Sequence, residues 1–575
     1  MMQTQRTILW VIFVMSLLFL WDSWQKYNGQ PSLFGGAAPA SQPTATPGQD
    51  GGKAGRPGSA AEDASVPSAP SAPTVPAVAQ GGKPGASAPA SVSAAGKLVR
   101  IGNDVLQAEI DTIGGQIRRV ELLKHREVSN RKDSGNLVML SSEPGRIFLA
   151  QTGLVGVEGA PNHNAQMTVL DKPADPAAPS GTKDLVLAAE GGGVRLERRY
   201  RLVPGSYEIQ VENTVTNVSG QPLAPTLYMQ LTRDGNAGPG DSGMYSTYTG
   251  PALYTEGEKF QKIEFGDIEK GKAKHVAKAD NGWIGVVQHY FATAWVPKQG
   301  VPREYYTRRI ENNLYSVGVL EPLGQIGPGQ SSAIEAKLFV GPQEQEFLEK
   351  AAPGLELVKD YGWLTAIAKP LFWLLNALHG IVGNWGWSIV LLTILVKLAF
   401  FPLQAASYRS MAKMKKVTPK LTALRERFGS DRVKMNQAMM ELYKTEKINP
   451  LGGCLPIVVQ IPVFIALYWV LLASVEIRDA PWIGWINDLS TPDPWYILPV
   501  IMAATMFIQT RLNPTPPDPL QAKMMMWMPL IFSVMFFFFP AGLVLYWVVS
   551  NLFSIAQQWV ITRRIEGKPV FGRAG

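Results

Sequence analysis

Apolar and polar positions follow different patterns in different parts of the 575-residue chain. Within residues 98–345, short runs alternate apolar and polar residues, as Val194, Leu196, Tyr200 and Leu202 do with their neighbours. A period of two is typical of β-strands with one buried face. Turns rich in Gly and Pro separate the runs, and no long helical pattern interrupts them. The pattern therefore predicts a large all-β sandwich domain.

An apolar run near the N-terminus predicts a first membrane anchor, residues 1–27. The run covers residues 8–21 and is broken by Ser16 alone. A cleaved signal peptide would need small residues close behind this run, but Asp22 and Trp24 follow it. The sequence therefore favours an uncleaved span over a signal peptide.

Five further apolar runs near the C-terminus predict a polytopic α-helical membrane protein with six transmembrane helices in total. Ahead of these runs, residues 363–382 contain Lys369, Pro370 and His379 and are predicted to form an interfacial amphipathic helix. Several runs are shorter than the ~20 residues that a bilayer core requires, which indicates a locally thinned membrane. The predicted spans after the first are residues 386–404, 451–474, 496–510, 524–539 and 543–560.

The charges between these runs orient the predicted spans. Residues 406–449 contain 11 Lys and Arg against 4 Asp and Glu, whereas residues 475–495 contain one Arg against four acidic residues. Because cytoplasmic loops are enriched in Lys and Arg, residues 405–450, the loop 511–523 and the basic tail 561–575 are predicted to be cytoplasmic. Both termini are then cytoplasmic, and the β-domain and the acidic loop lie on the outer side of the membrane.

The segment between the anchor and the β-domain has a composition typical of disorder. Residues 29–96 contain 11 Pro and 12 Gly, and such a segment buries too little apolar surface to offset the entropy of ordering. Residues 28–97 are therefore predicted to be a flexible periplasmic linker with a root-mean-square reach of about 40–50 Å. A second linker with the interfacial helix, residues 346–385, follows the β-domain.

Composition argues against an enzyme or a metalloprotein. Cys454 is the sole cysteine, and the five histidines have no ligand spacing, so no metal site is predicted. The sequence contains no Walker loop and no GxSxG motif, and no cofactor or catalytic residue is predicted. The net charge of +8 is largely explained by the loops that orient the spans, so recognition of a nucleic-acid sequence is not predicted.

Lys397 lies about ten residues into the second predicted span, near the middle of the membrane. A charge there costs from ~2.5 to more than 10 kcal/mol and normally faces water or a partner. The apolar runs of the predicted spans contain no acidic residue, so the functional interpretation places Lys397 in a hydrated cavity with Thr393 one turn earlier. The alternative is a lysine that extends to the cytoplasmic interface.

Other polar residues in the spans point to the same cavity. Gln460 interrupts the third predicted span, and Tyr546, Ser550, Ser554 and Gln557 recur at helical spacing along one face of the last. For any one of these residues, an ordinary interhelical hydrogen bond is an equally good explanation.

The basic segment 405–450 predicts an antiparallel helical hairpin. Met414, Val417 and Leu421 repeat at helical spacing, and Met439 continues this apolar seam on the second helix. Its cationic exterior is either a solvated face near anionic lipid or a docking surface for nascent chains and the ribosome. The candidate docking residues are Lys413, Lys415, Lys416, Arg425 and Arg427.

Four stretches of the C-terminal half form recognisable motifs: Gly386–Pro402, Met411–Met414, Asn449–Cys454 with Gln460-Ile461-Pro462, and Gly542–Trp547 with Ser550-Asn551-Leu552. They resemble motifs of the YidC/Oxa/Alb family of membrane protein insertases, and the resemblance covers residues 1–27 and 98–565. The order of spans is similar to that of the Gram-negative members, which have a first anchor and a large periplasmic domain. The resemblance therefore implies a bacterial inner-membrane protein whose β-domain is periplasmic.

The resemblance implies a five-helix core around a hydrophilic groove that inserts and folds inner-membrane proteins, with or without the Sec translocon. Lys397 corresponds to the central cation of that groove, where most relatives have arginine, and lysine keeps the charge without the planar donor fork. The β-domain resembles a galactose-mutarotase-like supersandwich, for which contact with Sec partners is implied and sugar chemistry is not. The candidate groove residues are Lys397, Thr393, Gln460, Tyr546, Trp547 and Ser550.

Two functions of other classes stay open on the sequence. A channel or transporter for a small solute is disfavoured because the hydropathy pattern has no two-fold repeat. A membrane-anchored, carbohydrate-acting enzyme leaves five spans unexplained. The partners implied for an insertase are nascent membrane proteins, the Sec translocon with its accessory subunits, the ribosome and membrane lipid.

Overall fold

The computed structural model describes residues 66–67, 96–129, 133–172, 177–238, 248–428, 431–446, 455–513 and 519–565. The predicted anchor 1–27 and most of the predicted linker 28–97 lie outside the described residues. The described chain forms two compact units that meet between Lys359 and Asp360 in the sequence. Each unit is considered separately below.

In its described residues, the first unit contains eighteen β-strands and two short α-helices. Alternation in the sequence produces the strands, as in Val194–Leu202, where every second residue is buried. The helices are α1, Phe265–Glu269, and α2, Gln345–Ala351. Strands β1 to β18 are Leu98–Gly102, Leu106–Asp111, Ile117–Arg126, Asn136–Glu143, Arg146–Val155, Thr168–Leu170, Lys183–Gly191, Val194–Leu202, Glu208–Asn217, Thr226–Asp234, Gly250–Thr255, Lys259–Lys262, Lys278–Ala279, Trp283–Val287, Phe291–Pro297, Arg303–Glu311, Leu314–Pro322 and Ser331–Pro342.

The strands form two nine-stranded sheets, which confirms the predicted β-sandwich domain. The first sheet has the order β1-β2-β3-β4-β5-β10-β17-β16-β13, and the second has the order β12-β11-β14-β15-β18-β9-β8-β7-β6. Large apolar side chains such as Trp283, Trp295 and Phe339 are fully buried in this unit. Both sheets pair strands that are far apart in sequence, such as β5 with β10 in the first and β9 with β18 in the second.

The second unit is helical. Helices α3 to α10 are Thr365–Val382, Trp385–Ala399, Phe401–Phe428, Arg432–Thr445, Leu455–Ala473, Ile497–Leu512, Pro519–Met535 and Ala541–Ile565. A common apolar core joins α3, α4, α7, α8 and α10. Helices α5 and α6 pack against each other around Val417 and Leu421, with Met414, Met439 and Leu442 beside them. The predicted apolar seam of the hairpin is therefore present.

Local sequence explains where the helices of this unit break. Gly383 has a φ of +69° and ends α3, and the side chain of Asn384 accepts a hydrogen bond from the backbone N–H of Trp387 to cap α4. Helix α5 begins directly after Phe400 at an angle of 65° to α4. Pro402 has no backbone N–H to donate to the preceding turn, so the helical ladder is interrupted there. The predicted span 386–404 contains this bend.

Helix length alone does not establish the predicted six spans. Among the described residues, Gly362–Val382 and Ala541–Ile565 are each long and apolar enough to cross a membrane, and the bent pair α4–α5 would make a third. The first of these is the segment predicted to lie at the interface. The remaining apolar helices are shorter: Val459–Ala473, Ile497–Leu512 and Lys523–Phe538.

Candidate functional site: a buried lysine between helices

Lys397 is in the last turn of α4, and its side chain points into the helical unit. The residue is 3% exposed. Its Nζ donates to the hydroxyl oxygen of Ser554 on α10 at 2.9 Å and lies 3.5 Å from Oε1 of Gln460 on α7. The ammonium group therefore has its contacts inside the helical unit.

Polar side chains from three other helices, α5, α7 and α10, lie around this ammonium group. Gln404 on α5 donates from Nε2 to the same Gln460 oxygen at 3.3 Å, and the Ser554 hydroxyl donates to the backbone oxygen of Ser550 at 2.9 Å. One turn further along α10, Gln557 donates to the backbone oxygen of Phe401, directly after the break between α4 and α5. We call Lys397, Gln404, Gln460, Ser550, Ser554 and Gln557 the lysine cluster.

The partners of Lys397 are all neutral in the part of the chain that the structure describes. None of the ion pairs found there involves Lys397. Hydroxyl and amide oxygens orient an ammonium group but do not cancel its charge. The lysine cluster is thus a site of uncompensated positive charge in an apolar helical unit.

The other predicted groove residues lie on the same helices with different neighbours. Thr393 is fully buried, and its hydroxyl donates to the backbone oxygen of Ile389 in its own helix at 2.6 Å. Tyr546 and Trp547 pack against the ring of Phe464, with centroid distances of 6.3 and 4.7 Å. These three residues border the lysine cluster along α4 and α10 and make no hydrogen bond with Lys397 among the described contacts.

Gln404 is the member of the cluster that the sequence interpretation did not identify. It lies beyond the helix break, at the last residue of the predicted span 386–404. Ser554 and Gln557 were visible as part of the polar stripe on the last span, but the contact of Ser554 with Lys397 and that of Gln557 with the backbone of Phe401 were not. The signal available for Gln404 was its spacing of seven residues from Lys397, two helical turns.

The loop between α7 and α8 closes one end of the helical unit. Asp488 accepts hydrogen bonds from the backbone N–H groups of Asp479 and Ser490, at 3.1 and 2.8 Å. Asp493 accepts from the N–H of Leu498 at 2.7 Å, at the start of α8. Both carboxylates are buried, and they stabilise the loop through backbone donors. The backbone N–H of Gly542 donates to Leu489 and ties this loop to the start of α10.

The basic residues of the hairpin fall into two groups. Lys413, Lys415 and Arg427 are exposed. Lys416 donates to the last backbone oxygen of α10, that of Ile565, at 2.9 Å, where the helix dipole favours a cation. The side chain of Arg425 lies outside the described residues.

Comparisons with known proteins agree across both units. The family model for the YidC periplasmic domain matches residues 98–374, and the model for the 60Kd inner membrane protein matches residues 377–568. The membrane protein insertase YidC of Cupriavidus necator is 54% identical over 570 residues, which cover 98% of each chain. The protein of the same name from Bordetella pertussis is 54% identical over 568 residues, again covering 98% of each chain.

Two solved structures are more distant. A crystal structure of an active YidC insertase with its first transmembrane domain resolved is 17% identical and covers 80% of this chain and 93% of its own, with a TM-score of 0.38. A galactose mutarotase related enzyme from Lactobacillus acidophilus is 10% identical and covers 43% of this chain and 97% of its own, with a TM-score of 0.28. Similarity at these scores supports no conclusion about function.

The full-length relatives and the two family models therefore decide the identity. Their agreement extends from the first β-strand to the last helix. The chain belongs to the YidC family of membrane protein insertases: it is an inner-membrane protein with a periplasmic domain that inserts nascent membrane proteins, and it is not an enzyme.

Proposed function

We propose that the lysine cluster is the floor of a hydrophilic groove. The groove attracts polar, acidic segments of client proteins and lowers the energetic barrier to their crossing of the membrane. In this proposal the protein has six spans, five of which form the insertase core around the groove. The apolar helix of the client leaves the groove into lipid, and its transfer supplies roughly 25 cal/mol for each Å² of apolar surface removed from water. No covalent step is involved.

The burial of Lys397 among neutral partners is the observation that supports this proposal most directly. A charge kept at 3% exposure with no counter-ion among the described residues is costly to maintain, so its retention supports a functional role. At 4–8 Å, one charge attracts a carboxylate by about 2–4 kcal/mol at an effective dielectric constant near 20. An acidic client segment would supply the missing negative charge.

Unpaired polar atoms in the cluster and beside it support a hydrated groove. The Oε1 atoms of Gln404 and Gln557 and the Nε1 atom of Trp547 are buried without a partner in the described part of the chain. Leaving such an atom unsatisfied costs roughly 1–3 kcal/mol, and a buried water usually prevents this cost. We therefore propose that water enters between α4, α5 and α10.

The two ends of the helical unit support a direction for the groove. The loop 475–495 closes one end, and the cationic hairpin of α5 and α6 continues from the other. Since Lys and Arg are retained on the cytoplasmic side, we place the hairpin, the loop 511–523 and both termini in the cytoplasm. The closed end and the β-domain are then periplasmic, so the groove opens toward the cytoplasm.

Partners other than client proteins belong to the same proposal. The exposed side chains of Lys413 and Lys415 form a positive surface at the cytoplasmic mouth, which suits an anionic ribosome or anionic lipid. The β-domain offers a rigid surface for contact with the Sec translocon. We propose that the protein inserts and folds clients both with and without that translocon.

Substitution of Lys397 tests the groove directly. Lys397→Arg keeps the charge, and we expect it to be nearly silent. Lys397→Met keeps the length and removes the charge, so insertion of a client with Asp in its translocated segment should fall about thirtyfold or more, in line with an attraction of about 2–4 kcal/mol. The same client with Asn in place of Asp should lose much less. Insertion efficiency of this matched pair is the measurement.

Thr393→Val is the matched control, because it removes a buried polar group one turn away whose hydroxyl bonds within its own helix. It should leave the ratio of Asp to Asn client insertion unchanged. Equal losses of both clients in Lys397→Met would contradict the electrostatic role of the lysine.

A further inference from the structure

Two residues of the predicted linker are packed against the β-unit. Pro67 is buried and Val66 is half-buried. The backbone oxygen of Val66 accepts a hydrogen bond from Nη1 of Arg308 at 2.8 Å. The side chain of Val66 packs against an apolar cluster of the first sheet. A segment with the composition of a flexible linker therefore makes specific contacts at one point.

The surface under Val66 is formed by side chains of four adjacent strands of the first sheet. Tyr228 on β10 lies directly opposite Leu320 on β17 in the strand register. Arg308 is on β16, in the strand next to β17. We call Val155, Tyr228, Tyr306, Arg308 and Leu320 the docking surface.

Two glycines make room for the tyrosines of this surface. A Cβ atom at Gly153 would lie 2.7 Å from the hydroxyl oxygen of Tyr228, and one at Gly318 would lie 2.8 Å from that of Tyr306. Both distances are too short for any other residue without rearrangement. The tyrosines therefore cross over neighbouring strands at positions where the sequence leaves out a side chain.

The hydroxyl groups of Tyr228 and Tyr306 form hydrogen bonds with other residues of the β-domain. Tyr306 donates to Oε1 of Gln230 at 2.6 Å, and the Tyr228 hydroxyl accepts from the backbone N–H of His163 at 2.9 Å. The rings are thus fixed before anything binds, and they offer carbon surface to Val66. A preorganised aromatic surface binds an extended peptide at low entropic cost.

Arg308 provides hydrogen-bond donors beside the apolar contact. Its Nε and Nη2 atoms are buried and have no partner in the described part of the chain. A guanidinium group with two free donors suits a carboxylate. Glu62 and Asp63 precede Val66 by four and three residues, and Asp50 is the one other acidic residue in the segment 29–96.

The linker sequence around Val66 suits this kind of recognition. Proline recurs every three residues at Pro67, Pro70, Pro73 and Pro76, the period of a polyproline II helix. Pro67 also restricts Val66 to extended conformations. Aromatic surfaces recognise Pro-rich segments of this type because little conformational entropy remains to be lost.

We propose that Val66 and Pro67 are an internal ligand of the docking surface, so that the linker is attached to the β-domain near its middle. The stretch between the predicted anchor and Val66 then has about 38 residues, and the reach predicted from its composition falls from about 40–50 Å to about 31–37 Å. The docked segment thus shortens the length of chain that connects the predicted anchor to the β-domain.

A second Val-Pro pair in the same linker supplies the matched control. Val75-Pro76 has the same dipeptide nine residues later, without acidic residues just before it. In full-length protein with Cys454→Ser, we compare maleimide labelling of Val66→Cys and Val75→Cys. Docking should slow labelling at position 66 by about tenfold or more relative to position 75, since protection follows the opening equilibrium. Equal labelling rates would overturn the proposal.

Arginine variants test the contact from the other side without changing the linker. Arg308→Gln should raise the labelling rate of Val66→Cys to that of Val75→Cys. Arg309→Gln, on the neighbouring position of β16, should leave it slow, since Arg309 bonds to Glu311 and Asn312 instead. Hydrogen exchange of β10 and β17 must stay protected in both variants. Slow labelling in a folded Arg308→Gln variant would contradict the proposal.

A synthetic peptide distinguishes a specific ligand from a general apolar site. A peptide of residues 60–69 added to the full-length protein should compete with the linker and speed labelling of Val66→Cys. A peptide of residues 71–80, which contains Val75-Pro76, should not. Equal competition by the two peptides would overturn the assignment of Val66 and Pro67 as the specific ligand.

Discussion

At the scale of single residues, the hydroxyl of Ser554 accepts the shorter of the two hydrogen bonds from Lys397. It accepts from Nζ of Lys397 and donates to the backbone of Ser550, so it orients the ammonium group and links α4 to α10. Ser550 takes part through its backbone oxygen. The two serines are therefore similar in sequence and different in role.

This difference leads to a testable outcome. Ser554→Ala leaves the ammonium group with one long contact to Gln460, and should destabilise the packing of α4 on α10 by roughly 1–3 kcal/mol. Ser550→Ala keeps the backbone acceptor and should stay within about 0.5 kcal/mol. Hydrogen exchange of the last turn of α4 in purified protein measures both. Equal acceleration in the two variants would contradict the role of the Ser554 hydroxyl.

Protonation of His163 is expected to make the stability of the β-domain depend on pH. Burial, with Arg308 and Arg198 nearby, lowers the pKa of His163 from 6.5 to about 4. The unfolded state then binds more protons between pH 6.5 and 4, so stability falls as the pH falls through this window. The loss approaches about 3 kcal/mol at pH 4, and the contribution of His163 is absent above pH 6.5.

His163→Gln should flatten this dependence because glutamine keeps a hydrogen-bonding group near Tyr228 and does not titrate. The measurement is urea unfolding of the β-domain in the full-length protein, followed by hydrogen exchange of its peptides with correction for intrinsic rates. The difference between wild type and variant isolates His163 from the carboxyl groups that titrate nearby. An identical slope in both proteins would refute the assignment.

At the scale of elements, the hairpin of α5 and α6 combines a packed seam with an exposed cationic surface. Val417 and Leu421 are buried in the seam, and Lys413 and Lys415 are exposed. Lys416 is different, since it caps the end of α10. Charge at this element can therefore be changed with or without disturbing its structure.

Reversal of the exposed pair tests the surface. Lys413→Glu with Lys415→Glu should weaken ribosome binding and reduce its dependence on salt, since fewer exposed charges are screened. Co-sedimentation with ribosomes across a salt series is the measurement. The matched control exchanges the paired residues Lys420 and Glu446, 2.6 Å apart, and keeps the net charge. Unchanged binding and salt dependence in the reversed pair would favour a merely solvated face.

At the scale of the whole molecule, the orientation in the membrane follows from loop charge and awaits measurement. The acidic loop 475–495 is a poor place to alter Asp488 or Asp493, because both carboxylates hold backbone N–H groups. Asn487 is exposed in the same loop, and Lys298 and Lys434 are exposed in the β-domain and the hairpin. These three positions can be labelled without disturbing buried contacts.

Single cysteines at these positions, with Cys454→Ser, report the orientation in intact cells. Lys298→Cys and Asn487→Cys should react with an impermeant maleimide from the periplasm. Lys434→Cys should react only after permeabilisation of the inner membrane. Labelling of Lys434→Cys in intact cells would reverse the proposed orientation and, with it, the cytoplasmic opening of the groove.

Local patterns in the sequence were sufficient for much of this architecture. Alternation predicted strands such as Val194–Leu202, helical spacing predicted the seam around Val417, and a charge within an apolar run singled out Lys397. Each of these signals depends on neighbours within a few residues, where backbone geometry alone sets which side chains share a face.

Tertiary structure decided the contacts that join distant parts of the chain. Lys397 and Ser554 are 157 residues apart, and Gln404 enters the cluster because the chain bends after Phe400. Asp488 and Asp493 counted as loop charges in the sequence, but the fold buries them against backbone donors. Val66 sits in a linker whose composition indicates disorder, yet packs on the first sheet. Composition and periodicity are local averages, whereas such contacts depend on which surfaces the packed elements bring together.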